Sequence, residues 1–203
     1  MRIVFEGLPG AGKTSHVQQL ASAFALPLVP EWICFTDKQW RSYALCKPFY
    51  FANDEVKEFI GRFFTSPVLF DRHYTGALAY GYALSQVHGP DPLTGESYEE
   101  NLSWYKHCLA QNRLCQPACV FILDISPDTS LRRQPRAQAF DPIFGDRACL
   151  EAMRTYYHIF YTQIEPEVQV FWVDGEGAKT AVYQTLHQHL TAILANDSTH
   201  HAP

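Results

Sequence analysis

Charge is scarce in this chain of 203 residues. Only 18% of positions are Asp, Glu, Lys or Arg, and the balance is acidic, with 16 Lys and Arg against 21 Asp and Glu and a formal net charge of −5. General binding to a nucleic acid polymer or to an anionic membrane surface wants a basic face, so both are excluded as expectations. A small phosphorylated ligand is not excluded, because a few local arginines suffice to hold it. No uninterrupted apolar run is long enough to span a bilayer. Arg2 leads through "IVFE" straight into a glycine loop with no apolar signal region between, so the expected location is the cytoplasm. The six cysteines (Cys34, Cys46, Cys108, Cys115, Cys119, Cys149) include no C-x-x-C pair, which reads as reduced, partly buried thiols rather than a disulfide or zinc framework. His187 and His189, two apart on a predicted helix, point to different faces and make poor joint ligands. Internal repeats and low-complexity tracts are also missing.

What is present alternates. Short apolar runs at 2–6, 26–30, 67–71, 118–125 and 168–174 read as buried strands. Helical patterns lie between and after them, at 13–24, 54–64, 74–87, 97–114, 146–164 and 178–195. Strands alternating with helices predict an α/β fold whose mainly parallel sheet is covered on both faces. One domain over residues 1–195 is expected, followed by a disordered tail at 196–203. "HGPDPLTGE" at 88–96 reads as a surface loop. The basic, then turn-rich segment 132–146 follows a predicted strand directly, where sheet enzymes place ligand-facing loops.

The strongest motif is "GLPGAGKT" at 7–14, which satisfies G-x-x-x-x-G-K-[ST]. Its glycines let backbone N–H groups turn inward around phosphate oxygens, so Gly7, Gly10, Ala11, Gly12, Lys13, Thr14 and Ser15 are candidate ATP-binding residues. Lys13 is expected to reach the β- and γ-phosphates, and the Thr14 hydroxyl to hold Mg2+. The preceding apolar run and the following helical pattern place a helix N-terminus at the anion. Asp71 closes the strand "PVLFD" as a Walker-B-type carboxylate and is the candidate metal ligand, with Asp124 and Asp174 as competitors. Arg72, beside it, offers a fixed positive fork for phosphate or carboxylate.

A phosphate grip can serve a switch, a motor or a transfer. A guanine-reading N-K-x-D is absent, and "DGEG" at 174–177 falls after the last strand, which excludes a switch GTPase. Arg132, Arg133 and Arg136 instead follow the fourth strand, as a lid that neutralises a transferring γ-phosphate would require. Transfer to a small molecule is the expected fate of the phosphate.

Several stretches resemble thymidylate kinases. "FEGLPGAGKT" resembles their F-E-G-x-x-G-A-G-K-T opening, "DRHYTGALAY" at 71–80 their D-R-Y-x-x-S-x-x-A-Y segment, and "YFAN" at 50–53 their F-x-A-N segment. "FILDISPDTSLRRQ" is similar to their strand, S-P-E turn and lid helix, and "VDGEGAKTAVYQTLHQHL" to their last strand, adenine-side loop and final helix. The resemblance implies a three-layer P-loop fold with a five-stranded parallel sheet and an arginine-rich lid. It also implies ATP and Mg2+ as cofactors, a nucleotide or nucleoside as the small-molecule partner, and a homodimer by analogy. It places Tyr50 against the acceptor base, with Trp32, Asn53, Arg72 and Tyr80 around the acceptor. The chain departs from that family at Pro9, where an acid is usual; at "VPEWICF", where R-E-P-G-G is usual; and at Asp54, Gly76 and Gly81.

"VPEW" instead resembles deoxynucleoside kinases, which carry a glutamate just after the second strand as general base for a sugar 5′-hydroxyl. Glu31 lies eighteen residues after Lys13, close to that family's spacing. A carboxylate suits a neutral hydroxyl acceptor, because it takes the proton as the P–O bond forms. The alternative use of Glu31 is a strand-end pairing with Arg72. Trp32, Trp40, Tyr50 and Phe51 are aromatic candidates for base stacking. The leading expectation is a thymidylate-kinase-like nucleoside monophosphate kinase; the alternative is a deoxynucleoside kinase with Glu31 as base. A further alternative is a non-catalytic nucleotide-binding protein or a kinase of an unrelated small acceptor.

Overall fold

Strand β1 (Arg2–Glu6) runs through the middle of the molecule, and its apolar residues Ile3, Val4 and Phe5 are fully buried. In the computed structural model, which describes residues 1–32, 43–89, 97–134 and 145–200, it is flanked by two parallel neighbours. β3 (Val68–Asp71) pairs with it on one side and β4 (Cys119–Asp124) on the other. β2 (Leu28–Val29) and β5 (Gln169–Asp174) complete a five-stranded parallel sheet in the order β2-β3-β1-β4-β5. The continuous apolar runs of β3 and β4 are those of strands covered on both faces. The sheet bears out the expected α/β P-loop architecture.

One residue of each of three strands shares a register level and a ring. Phe5 pairs with Phe121, and Phe121 with Phe171. Their stacked centroids are 5.0 and 5.1 Å apart, an aromatic ladder across β1, β4 and β5. His189 of the last helix packs on Phe171 at 4.9 Å, so that histidine serves packing.

Helices supply the covering layers. α1 is Lys13–Phe24, and α2, Tyr43–Gly61, starts well before the expected residue 54. The motif "KPFY" obscured that start, since proline removes a donor and is disfavoured in helix interiors, yet the helix continues through Pro48. α3 (Tyr74–His88) and α4 (Tyr98–Ala110) follow, the latter opened by a capping box between Ser97 and Glu100. α5 (Pro127–Arg133) is a short helix with Ser126 as N-cap and Pro127 in its first turn.

α6 (Arg147–Ile159) runs into a π-helical turn, Phe160–Ile164, where a single regular helix is expected. That turn presents the Tyr161 hydroxyl to Thr75 Oγ1 at 3.0 Å. Just beyond it, buried Glu165 accepts from the Tyr74 hydroxyl at 2.7 Å and from the Tyr105 hydroxyl. Both contacts anchor the first turn of α3. Finally α7 (Lys179–His200) extends past 195, so helical backbone replaces the tail expected from residue 196 to residue 200. β2 is shorter than its apolar run because Pro27 and Pro30 have no N–H to give; the Pro27 carbonyl still accepts from Leu69 N at 2.9 Å. No described helix is long and apolar enough to cross a membrane.

Candidate active site

The carboxyl ends of β1, β2 and β3 converge on one corner of the sheet, and the glycine loop wraps it. Gly7, Gly10 and Gly12 all have positive φ, at 136°, 77° and 91°. Gly7 has no alternative, since a Cβ there would lie 2.4 Å from the Leu123 carbonyl oxygen. Gly12 is the N-cap of α1, and the Thr14 and Ser15 side chains are exposed at that helix's first turn. Lys13 is buried and folds back, donating to the Gly7 and Leu8 carbonyls at 3.0 and 2.9 Å. Burial first, and the Arg72 cation second, lower its pKa to about 7. Ala11 is buried and its N–H donates to Leu8 O at 3.2 Å, which closes the loop on itself.

The acceptor side is built by charge. Arg72 sits directly after β3 with φ 62°, a left-handed conformation rare for a bulky residue. Its Nε lies 2.8 Å from Glu31 Oε1, so the pairing of Glu31 with Arg72 exists. Its Nη1 lies 3.4 Å from Glu6 Oε2, and its guanidinium stands 5.9 Å over the ring of Tyr80. Burial acts against the cation, but Glu31, Tyr80, Tyr157 and Glu6 together hold the Arg72 pKa well above its usual range.

Lys57, Glu6 and Tyr157, which the sequence did not single out, hold this corner in place. Lys57, buried on α2, donates to the carbonyls of Asp71 at 2.8 Å and of Arg72 at 2.7 Å. Its Nζ also reaches the Glu31 carbonyl at 3.5 Å, and Asn53, one turn earlier, donates to the same carbonyl at 2.9 Å. One helix thus fixes the ends of two strands. Glu6, fully buried, accepts from the backbone of His73 at 2.8 Å and of Gly76 at 3.1 Å, and from the Tyr157 hydroxyl at 3.3 Å. Gly76 follows from that approach, because a Cβ would come within 3.2 Å of the Glu6 carboxylate. Asp54, adjacent to Asn53, is buried, which raises its pKa to about 7 against the opposing pull of Lys57. The signals in sequence were slight: a glutamate ending an apolar strand, and a lysine four residues after Asn53 on one helix face.

Mg2+ is a fit for Thr14 and Asp71. Asp71 is buried at the strand end, and its Oδ1 has no hydrogen-bond partner among the described residues. A buried carboxylate oxygen without a donor is costly unless a cation or ordered water meets it. Asp124, the competitor, is instead gripped by Arg154 of α6 through a bidentate pair at 2.6 and 2.7 Å. Asp174 caps its own turn, accepting from Glu176 N at 2.9 Å.

The arginines divide. Arg133 ties the glycine loop to the loop at Gly175: it donates to Gly175 O at 2.9 Å and approaches Gly10 O at 3.5 Å. Arg132 donates to Thr129 Oγ1 at 2.8 Å, and Arg136 lies outside the described residues. Ser130 donates to Pro9 O at 2.6 Å, so α5 also grips the glycine loop at the residue where the resemblance to thymidylate kinases breaks. Glu176 receives the Ser126 N–H at 2.6 Å and the Thr129 hydroxyl at 2.5 Å, which hold its carboxyl down to about 2. Among the aromatic candidates, Trp32 and Tyr50 meet at 5.0 Å beside Glu31, with Trp32 substantially exposed. Phe51 is buried and stacks on Trp104 at 3.8 Å, so it belongs to the packing, while Trp40 lies outside the described residues.

No protein-family model and no curated protein matches this sequence. Solved structures do match the fold. One is deoxyadenosine kinase from M. mycoides with bound dATP, at a TM-score of 0.76 and 16% identity, covering 94% of this chain and 99% of that one. The same enzyme with the products dCMP and dCDP aligns at 0.71 and 15% identity, over 95% of this chain and 100% of that one. With bound dCTP it aligns at 0.70 and 16% identity over the same shares. At such identity the likeness establishes the fold, that of a deoxynucleoside-kinase-like P-loop protein.

Proposed function

We propose that the chain transfers the γ-phosphate of ATP to the 5′-hydroxyl of a deoxynucleoside, with Glu31 as general base. The observation that carries this reading is the place of Glu31: its side chain stays partly exposed at the corner while Arg72, 2.8 Å away, orients it, so the pairing is compatible with a base role. A second carboxylate, Glu6, faces the same guanidinium at 3.4 Å. A monophosphate acceptor brings two negative charges and needs uncompensated cations; a cation already flanked by two carboxylates serves it poorly. A neutral hydroxyl needs the reverse, a carboxylate held in position to take its proton. The fold shared with deoxyadenosine kinases supports the same choice, and the leading expectation of a monophosphate kinase gives way to its alternative.

In this mechanism Lys13 and the loop amides hold the β- and γ-phosphates. The Thr14 hydroxyl and the Asp71 carboxylate would hold Mg2+, which would supply neutralisation of charge on the phosphate oxygens. Glu31 accepts the 5′-hydroxyl proton as the new O–P bond forms, and the bond to the β-phosphate oxygen breaks to release ADP. Arg72 orients Glu31 and the sugar, with Tyr80 backing its guanidinium. Trp32 and Tyr50 offer their rings to the base, and the Asn53 amide fixes the Glu31 backbone. Arg132 and Arg133, with Arg136, add positive charge on the donor side, and Arg133 links the glycine loop to the loop at Gly175.

The test is ADP release measured across deoxynucleosides and their 5′-monophosphates, for the native chain and for Glu31→Gln. Deoxynucleosides are expected to stimulate release, and Glu31→Gln to lower kcat by about 10²–10⁴-fold with little change in the KM for ATP. Stimulation by monophosphates alone, indifferent to Glu31→Gln, returns the monophosphate kinase reading. ATP binding without stimulation by any acceptor supports a non-catalytic protein.

A further inference from the structure

Away from the nucleotide corner, three different metal-ligating groups meet where two helices end. His88 is the last residue of α3, Asp146 is the N-cap of α6, and Cys149 lies in the first turn of α6. His88 Nε2 stands 3.4 Å from Asp146 Oδ2 and 3.6 Å from Cys149 Sγ, and all three ligand atoms fall within 4.8 Å of one another. Around a tetrahedral zinc, bonds of about 2.3 Å to sulfur and about 2.1 Å to nitrogen or oxygen put S and N about 3.6 Å apart and N and O about 3.4 Å apart. The two separations from His88 Nε2 match edges of a zinc tetrahedron. An ion pair and a thiol hydrogen bond account for these two contacts one at a time; a shared cation accounts for the meeting of all three groups.

The surroundings also suit a metal. Asp146 uses Oδ1 to cap α6, accepting from Ala148 N at 2.8 Å and Cys149 N at 3.3 Å, which leaves Oδ2 turned toward His88. Oriented carboxylates of this kind, with one oxygen fixed by backbone donors, support metal ligation. Cys149 is fully buried while the His88 side chain is about half exposed, so a cation could enter from solvent and close over the thiol. Arg147, the nearest cation in sequence, is turned away to Asp128 at 3.0 Å.

We infer that His88, Asp146 and Cys149 form a site for zinc or a similar thiophilic divalent cation, with water in the fourth position, stapling the end of α3 to the start of α6. Binding converts the Cys149 thiol to a thiolate and releases one proton, so affinity rises with pH. The ligands are separated by most of the 88–149 interval, which is why cysteine spacing gave no sign of them. The inference does not depend on the proposed reaction.

The test uses the untagged full chain, freed of metal by chelator and titrated with Co2+. One equivalent is expected to give visible bands of four-coordinate cobalt and a near-ultraviolet thiolate-to-cobalt band, displaced by Zn2+. His88→Ala, at a half-exposed helix end, is expected to weaken Co2+ binding at least about tenfold while the fold stays intact. Cys149→Ser is expected to remove the thiolate band, and Zn2+ to raise the Tm of the native chain but not of His88→Ala. Absence of the thiolate band in the native chain, or its survival in Cys149→Ser, overturns the site; so does undiminished binding by His88→Ala.

Discussion

The two halves of the nucleotide corner are built on different plans. The phosphate side lies almost wholly within residues 7–15, where glycine dihedrals and a helix start dictate the shape locally. The acceptor side draws Glu6 from β1, Glu31 from the end of β2, Asp71 and Arg72 from β3, Asn53 and Lys57 from α2, and Tyr157 from α6. The first is mainly a backbone device, braced from outside by Leu123 and α5; the second is a mesh of mostly buried charges, each compensated by others. Removing one partner from such a mesh leaves an uncompensated buried charge, so damage spreads. The shape of the glycine loop is thus largely a property of a short segment, whereas the charge mesh beside it is a property of the fold.

That contrast can be broken by mutation. The largest effect is expected from Lys13→Ala, which should lower kcat/KM by about 10³-fold and weaken ATP binding itself, whatever the acceptor. Steady-state kinetics with an ATP-binding isotherm checks both. Lys57→Met should come next. It leaves the Asp71 and Arg72 carbonyls without their donor and frees the strained Arg72 turn. The expected result is a kcat lower by about 10–100-fold with ATP affinity kept, because misplacement of about 1 Å costs on that order. A Tm lower by several degrees should accompany it, from about 1–3 kcal/mol per unsatisfied buried carbonyl. If ATP affinity falls as far as in Lys13→Ala, the two halves are not separable.

The smallest effect concerns protons. Lys13, held at about 7 by burial and Arg72, must be charged to meet a polyphosphate. Its pKa rises on binding, so below pH 7 it is protonated in both states and no proton moves. Above pH 7 ATP binding takes up a proton, and affinity falls by up to about tenfold per pH unit until the bound pKa is reached. Calorimetry in buffers of different ionisation enthalpy reads the uptake directly. Lys13→Ala should abolish it, while Lys57→Met should preserve it.

Periodicity carried most of the fold. β1 and α1 were legible to the residue, and the other strands were found to within their prolines and end residues. The misreadings all lie in helices, where the local pattern did not report the bounds or the regularity. α2 runs through Pro48, α6 loosens into a π turn that positions Tyr161 and precedes Glu165, and α7 continues to His200. In the site, Gly7 to Ser15, Asp71, Arg72 and Glu31 were legible because motif spacing reports them. Glu6, Lys57 and Tyr157 were not, because what makes a buried charge useful is the partner it meets, and those partners lie 14 to 151 residues away along the chain.

By itself the sequence determined a glycine loop of P-loop spacing on a parallel α/β sheet, since glycine sterics and apolar periodicity act over a few neighbours. Only the tertiary structure decided that Asp124 is occupied by Arg154, that Asp71 Oδ1 has no hydrogen-bond partner among the described residues, and that Arg72 is met by two carboxylates. The physical reason is the reach of the forces. Backbone conformation is settled locally, but the charge state and availability of a side chain depend on whatever folding brings within a few ångströms of it.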